Sequence, residues 1–195
     1  MLLKQRHNNL CEKIMAIVPI SIYGDKILRQ KALPVKEVSD DLIRKIKNMF
    51  DTMRNANGIG FAANQAGYRE SIFVLDLEGA DGYEKFKPIV MINPKIILQS
   101  DEKSFKEEGC LSLPNLHANV LRSDIIKVSY MDTDEKEVEI EAGDLLARVI
   151  LHEYDHLIGK MIPDRVAEDV KTKLSAELAN IMNREVEIEY PITEG

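Results

Sequence analysis

"DLLARVILHEYDHLIG" (residues 144–159) is the stretch on which the fold and the chemistry turn. A helix advances about 100° per residue, so His152 and His156 stack one turn apart with Glu153 just off their face. On the same geometry Leu145, Val149, His152 and His156 fall within roughly 60° of one another, and two apolar side chains lead into two imidazoles. A lone histidine on a buried stripe is ordinarily a satisfied core residue, but two on one stripe are harder to explain that way. H-E-x-x-H on a helix is a metal motif: the histidines bind one ion and the glutamate serves as general base toward its water. Asp144 is the expected cap of this helix and Gly159 its stop.

A catalytic metal needs a third protein ligand. Of the other histidines, His7 and His117, neither follows the helix; Asp164 and Glu168 lie downstream. Cys110 lies upstream in "EEGCLSLP", where Gly and Pro imply an irregular, constrained approach after a strand. The alternative for Cys110 is a small buried hydrophobe.

Outward from the helix, 195 residues with 45% hydrophobic and 30% charged side chains fit one globular domain with a real core. We read residues 15–195 as that domain and residues 1–14 as an N-terminal extension of open role. No repeat or low-complexity linker divides the chain. The net charge of −7 argues against a phosphate-binding surface, so no nucleic-acid readout is expected. Two cysteines are too few for a disulfide framework and fit a reducing cytoplasm. No apolar run approaches the ~18 residues of a membrane helix, and "MLLKQRHNNLCEKIM" lacks a signal-peptide pattern, so neither membrane nor export is expected.

Ser39 precedes "DDLIRKIKNMFDTM", where Leu42, Ile43, Ile46, Met49, Phe50 and Met53 recur at helical spacing. This predicts an amphipathic helix running out in "NANGIG", where Gly58 and Gly60 open close backbone approach. "SIFVLDL", "IVMINPKIIL", "IIKVSYMD" and "KEVEIEA" read as strands, the last two as a hairpin across "DTDE". A second helix is expected from about Asp164 to Asn183, and a short terminal strand in "EVEIEY". Elements in blocks rather than strict alternation favour an α+β fold, antiparallel sheets packed around a central helix that carries H-E-x-x-H.

"GIGFAANQ" (58–65), "EGCLSLP" (108–114) and "HEYDH" (152–156), in that order, resemble the signature motifs of bacterial peptide deformylases. Similarity extends to "GDKILRQKALPV" and to "DLLARVILHEYDHLIGKMIPDR", hence over most of the chain. The resemblance implies removal of the formyl group from the N-terminal formylmethionine of new polypeptides, with release of formate. By it Cys110, His152 and His156 are the metal ligands and Glu153 is the general base. Gln65 and the backbone N–H of Leu111 stabilise the developing oxyanion. It further implies one divalent metal, usually Fe(2+), with Zn(2+), Ni(2+) or Co(2+) as alternatives that the same ligands suit. The implied partners are formylmethionyl nascent peptides and the ribosome near its exit tunnel.

Exposed main chain at Gly58, Gly60 and Gly109 is expected to meet substrate backbone. Leu145, Val149 and Ile59 are expected to wall an apolar pocket for methionine, against ordinary core packing as the plainer reading. Arg122 is expected to pair with Asp155 and so orient the ligand helix. Phe61, Asn64, Leu151 and Asp144 stand where Leu, Pro, Gln and Gly are more usual in the family; none removes a ligand, the base or the oxyanion donor. Two rivals remain at this level: a metallopeptidase cutting internal bonds, and a metal-binding module without catalysis.

Overall fold

Ser39 Oγ accepts from the backbone N–H of Leu42 at 3.3 Å and, with Asp40 and Asp41 in the first turn, starts helix α1 (Asp40–Asn55). Our computed structural model describes residues 16–194, so the expected extension at residues 1–14 lies outside the described residues. Leu42, Ile46, Met49 and Met53 form the buried stripe of α1; Ile43, expected among them, is exposed. The helix stops where Asn57 adopts a left-handed φ of 55° and hands the chain to Gly58.

The strands follow as β1 (Gly60–Ala62), β2 (Ile72–Leu75), β3 (Ile89–Gln99), β4 (Lys103–Cys110), β5 (Leu113–Ser123), β6 (Ile125–Met131) and β7 (Glu137–Gly143). One antiparallel sheet has the order β1-β2-β3-β6-β7, and β4 and β5 pair as a separate two-stranded sheet. The expected hairpin closes across Asp132–Lys136, where Asp132 Oδ1 accepts from the N–H groups of Asp134 and Lys136, both at 2.9 Å.

Strand β2 shows why the sheet carries a helix on each face. Its side chains alternate, so Ile72 and Val74 pack with the α1 stripe, while Phe73 and Leu75 pack with Ala147, Ile150 and Leu151 of helix α2 (Asp144–Leu157). Helix α2 is buried almost all round, with the large sheet on one side and the β4–β5 sheet on another. The fold is α+β, antiparallel sheets around that central helix. No helix among the described residues is long and apolar enough to cross a membrane.

Three expectations need correction. The 164–183 helix is broken into a short turn at Ile162–Asp164, helix α3 (Glu168–Lys173) and helix α4 (Ser175–Met182). Helix α3 buries no residue, so no core contact enforces continuity; α4 buries Leu178 and Ile181 against β5. "EVEIEY" forms no strand: the only pairing near it among the described residues is the single bridge of Ile192 with Ile20. Asp144 is not the cap of α2. That position belongs to Gly143, and Asp144 is the first helical residue, held at a φ of +50°.

Candidate metal centre and its cleft

One turn of α2 separates His152 from His156, and their rings meet edge to face with centroids 5.1 Å apart. Cys110 reaches them from the end of β4, where the β4–β5 register shifts between Gly109 and Cys110 and releases the strand from regular pairing. One ligand atom from each of Cys110, His152 and His156 lies within 4.8 Å of the others, and Cys110 Sγ is 3.2 Å from His156 Nε2. His152 Nδ1 sits 3.0 Å from Glu108 Oε2. An ionised carboxylate only accepts, so neutral His152 carries its proton on Nδ1 and turns the Nε2 lone pair to the cluster.

Glu108 anchors a buried ionic web. Arg122 grips it through Nε at 2.7 Å and the second guanidinium nitrogen at 2.9 Å, and Arg148 adds a contact at 2.8 Å. Arg122 also reaches Asp155 Oδ2 at 2.8 Å, and Arg165 Nε meets the same oxygen at 2.9 Å. Arg148 further donates to the carbonyls of Val120 and Ser104, at 3.0 and 2.9 Å. The web therefore ties helix α2 to the hairpin that carries Cys110. Burial works to raise the Glu108 carboxyl, but hydrogen bonds from His152 and Arg122 prevail and hold it at about 2.

Burial acts in the same direction at both imidazoles with different outcomes. It lowers His152, but the hydrogen bonds to Cys110 and Glu108 and the Cys110 and Glu153 charges hold that group well above the usual value. For His156, burial and the charges of His152 and Arg122 act together and keep it well below. Burial, opposed by the His152 and Arg122 charges, pushes the Glu153 carboxyl up to about 7, and its Oε2 is buried without a partner among the described residues.

Gln65 stands on a short turn, Ala63–Ala66, that follows β1. Its Oε1 accepts from the Ala62 N–H at 2.8 Å, which directs Nε2 to Ser112 Oγ at 3.1 Å and toward Cys110 Sγ at 3.7 Å. Gly60 is bare because α2 passes over it: a Cβ there would lie 2.8 Å from Val149 Cγ1 and against the Glu153 carboxyl. A Cβ at Gly58 would lie 2.8 Å from Leu111 Cδ1.

One cleft brings the sequence candidates together. Gly58, Ile59 and Gly60 form one side, Gly109, Cys110 and Leu111 another, and Leu145, Val149, His152 and Glu153 face them from α2, with Gln65 between. Val149 is almost fully buried and Ile59 is half-exposed at the rim. His156, the most enclosed of the three donors, stands behind the cleft wall at 1% exposure.

The pairing of Arg122 with Asp155 was anticipated, whereas Glu108, Arg148 and Arg165 were not. Arg148 had a signal, since it lies one turn before His152 on an otherwise apolar stripe. The C-terminal wall was also missed: Ile188 and Tyr190 line the cleft, and Tyr190 Oη donates to the Leu111 carbonyl at 2.8 Å. Of the unusual positions, Phe61 and Leu151 are core residues and Asn64 Nδ2 donates to the His156 carbonyl at 2.7 Å.

Known proteins share this arrangement of chain. A family model described as polypeptide deformylase matches residues 17–172. A peptide deformylase of Chlorobium phaeobacteroides is 43% identical over 178 residues, which span 90% of this chain and 95% of that one. The crystal structure of peptide deformylase from Thermotoga maritima is 38% identical with a TM-score of 0.71, covering 77% of this chain and 98% of its own. That of a peptide deformylase from Synechococcus elongatus in complex with actinonin is 38% identical with a TM-score of 0.76, covering 87% and 88%.

Proposed function

The chain belongs to the polypeptide deformylase family and is thus an enzyme that removes the N-formyl group from nascent polypeptides, and from that premise we propose that Cys110, His152 and His156 hold its catalytic metal. The convergence of one thiol and two imidazoles within 4.8 Å, with Glu153 beside them, carries this reading. A soft thiolate with two imidazoles suits ferrous iron, zinc, nickel or cobalt, and the orientation of His152 by Glu108 is what a metal ligand requires. We take Fe(2+) as the resident ion, which makes oxygen sensitivity an expected property. When bound, the metal supplies Lewis acidity, polarising the formyl oxygen and lowering the pKa of its water towards ~7.

The protein's own groups supply the rest. Glu153, buried and raised to about 7, takes a proton from the attacking water and returns it to the amide nitrogen as the C–N bond breaks. Gln65 Nε2–H and the Leu111 N–H donate to the formyl oxygen as negative charge builds on it. Main chain at Gly58, Gly60 and Gly109 pairs with the peptide backbone. Leu145, Val149 and Ile59 receive the methionine side chain, and burial of that apolar group excludes water from the reacting bond. The same reading has the enzyme working in the cytoplasm on formylmethionyl chains beside the ribosomal exit tunnel.

Formate release from a formyl-Met tripeptide is the test, with protein purified anaerobically and loaded separately with Fe(2+), Ni(2+) and Zn(2+). Glu153→Gln, with metal content intact, is expected to lower kcat by roughly 10²–10⁴. Metal-loaded wild-type protein that releases no formate would overturn the proposal.

A further inference from the structure

We infer that Asn64 is a positioning residue for the ligand His156, clasping it twice: Nδ2 donates to the His156 carbonyl and Oδ1 accepts from the ring Nδ1–H. The inference rests on the reading of His156 as a metal ligand. The first half of the clasp is present, with Nδ2 at 2.7 Å from the carbonyl and the two residues 2% and 1% exposed. The second half follows from what is left over. Asn64 Oδ1 and His156 Nδ1 are both buried without a partner among the described residues.

The two orphaned atoms have complementary chemistry. His156 Nε2 is the ring nitrogen aimed at the donor cluster, 3.2 Å from Cys110 Sγ. An imidazole that coordinates through Nε2 carries its proton on Nδ1, so the buried Nδ1 is then a donor in need of an acceptor. Asn64 Oδ1 is an acceptor in need of a donor, on an amide already bonded to the same residue. Both atoms belong to residues that the amide–carbonyl hydrogen bond already holds together. His152 is oriented in this manner by Glu108, and among the described residues His156 has no counterpart other than Asn64. Asn64 also neighbours Gln65 on the Ala63–Ala66 turn, so one turn would set both the oxyanion donor and the ligand.

The test measures Co(2+) affinity by competition with a chelator, alongside the Tm of the metal-free protein. Asn64→Ala is expected to weaken Co(2+) binding by about 10–100-fold, the range for loss of a group that orients a ligand. Asn64→Asp keeps the size and the acceptor for Nδ1–H but sets an oxygen against the His156 carbonyl. It is expected to lower Tm yet hold Co(2+) within threefold of wild type. A residue with a merely structural role would not separate these readouts. The inference is overturned if Asn64→Ala binds Co(2+) within twofold of wild type, or if Asn64→Asp weakens binding as far as Asn64→Ala. His156→Ala is the control: wild-type affinity in that variant would overturn the parent reading of the metal site instead.

Discussion

Gly60 has no room for a single carbon. A methyl group there meets Val149 Cγ1 at 2.8 Å and the Glu153 carboxyl, with backbone anchored in β1 on one side and in α2 on the other. Displacing a catalytic group by an ångström costs on the order of 10² in rate. Gly60→Ala is therefore expected to lower kcat for formate release about a hundredfold while metal content stays intact. Glu108 makes a different prediction, in stability. Its carboxyl is held at about 2 against an ordinary 4.5. A value lower in the folded state stabilises fully above pH 4.5, and that contribution is lost as pH falls from 4.5 toward 2. The shift amounts to about 3 kcal/mol. Denaturant unfolding across that window should show the loss in wild type and a flatter profile in Glu108→Gln. Gly60 was legible in "GIGFAANQ" as a site of close approach, but what approaches it was not. Glu108 was one acid among many, because nothing local marks a carboxylate that will meet Arg122, Arg148 and His152.

The helices divide by how much of their signal is local. Helix α2 was legible because stripe, histidines and stop all fall within a few turns of one another. Its start was misread: Gly143 caps it and Asp144 sits at a φ of +50°, a conformation in which a side chain costs energy and glycine does not. Asp144→Gly should raise the unfolding free energy by up to about 1 kcal/mol, the greater freedom of glycine in the unfolded chain offsetting part of the relief. A matched pair of chemical denaturation curves checks this. The sequence implies a strand before Cys110 but not its bounds or its partner, since "KSFKEEGC" carries a single large apolar side chain, Phe105, which is 68% exposed. Its strand character comes from pairing with β5, which has an alternating, half-buried pattern. Likewise, start and stop signals alone join α3 and α4 into one helix, although α3 has no core to hold it.

Across the whole molecule, the C-terminal segment returns to the cleft and meets the segment at Ile20. The Ile20 N–H donates to the Pro191 carbonyl at 2.9 Å, the Thr193 N–H to the Ile20 carbonyl at 3.1 Å, and Asn115 Nδ2 to the Glu187 carbonyl at 3.0 Å. Tyr190 is thereby set with its hydroxyl on the Leu111 carbonyl, fixing the peptide plane next to the candidate oxyanion donor. A hydrogen bond of this kind contributes roughly 0.5–1.5 kcal/mol. Tyr190→Phe should therefore reduce kcat/KM about two- to tenfold with unchanged metal content, read from steady-state formate release. The family, the fold class and the candidate donors and base were legible in the sequence itself, because motif spacing and hydrophobic period act within a turn of helix or a strand. Only the tertiary structure decided which carboxylate holds His152, what stands behind His156 and what braces Leu111. Those contacts join residues 44, 92 and 79 positions apart, and packing between distant elements, which no local pattern encodes, brings them together.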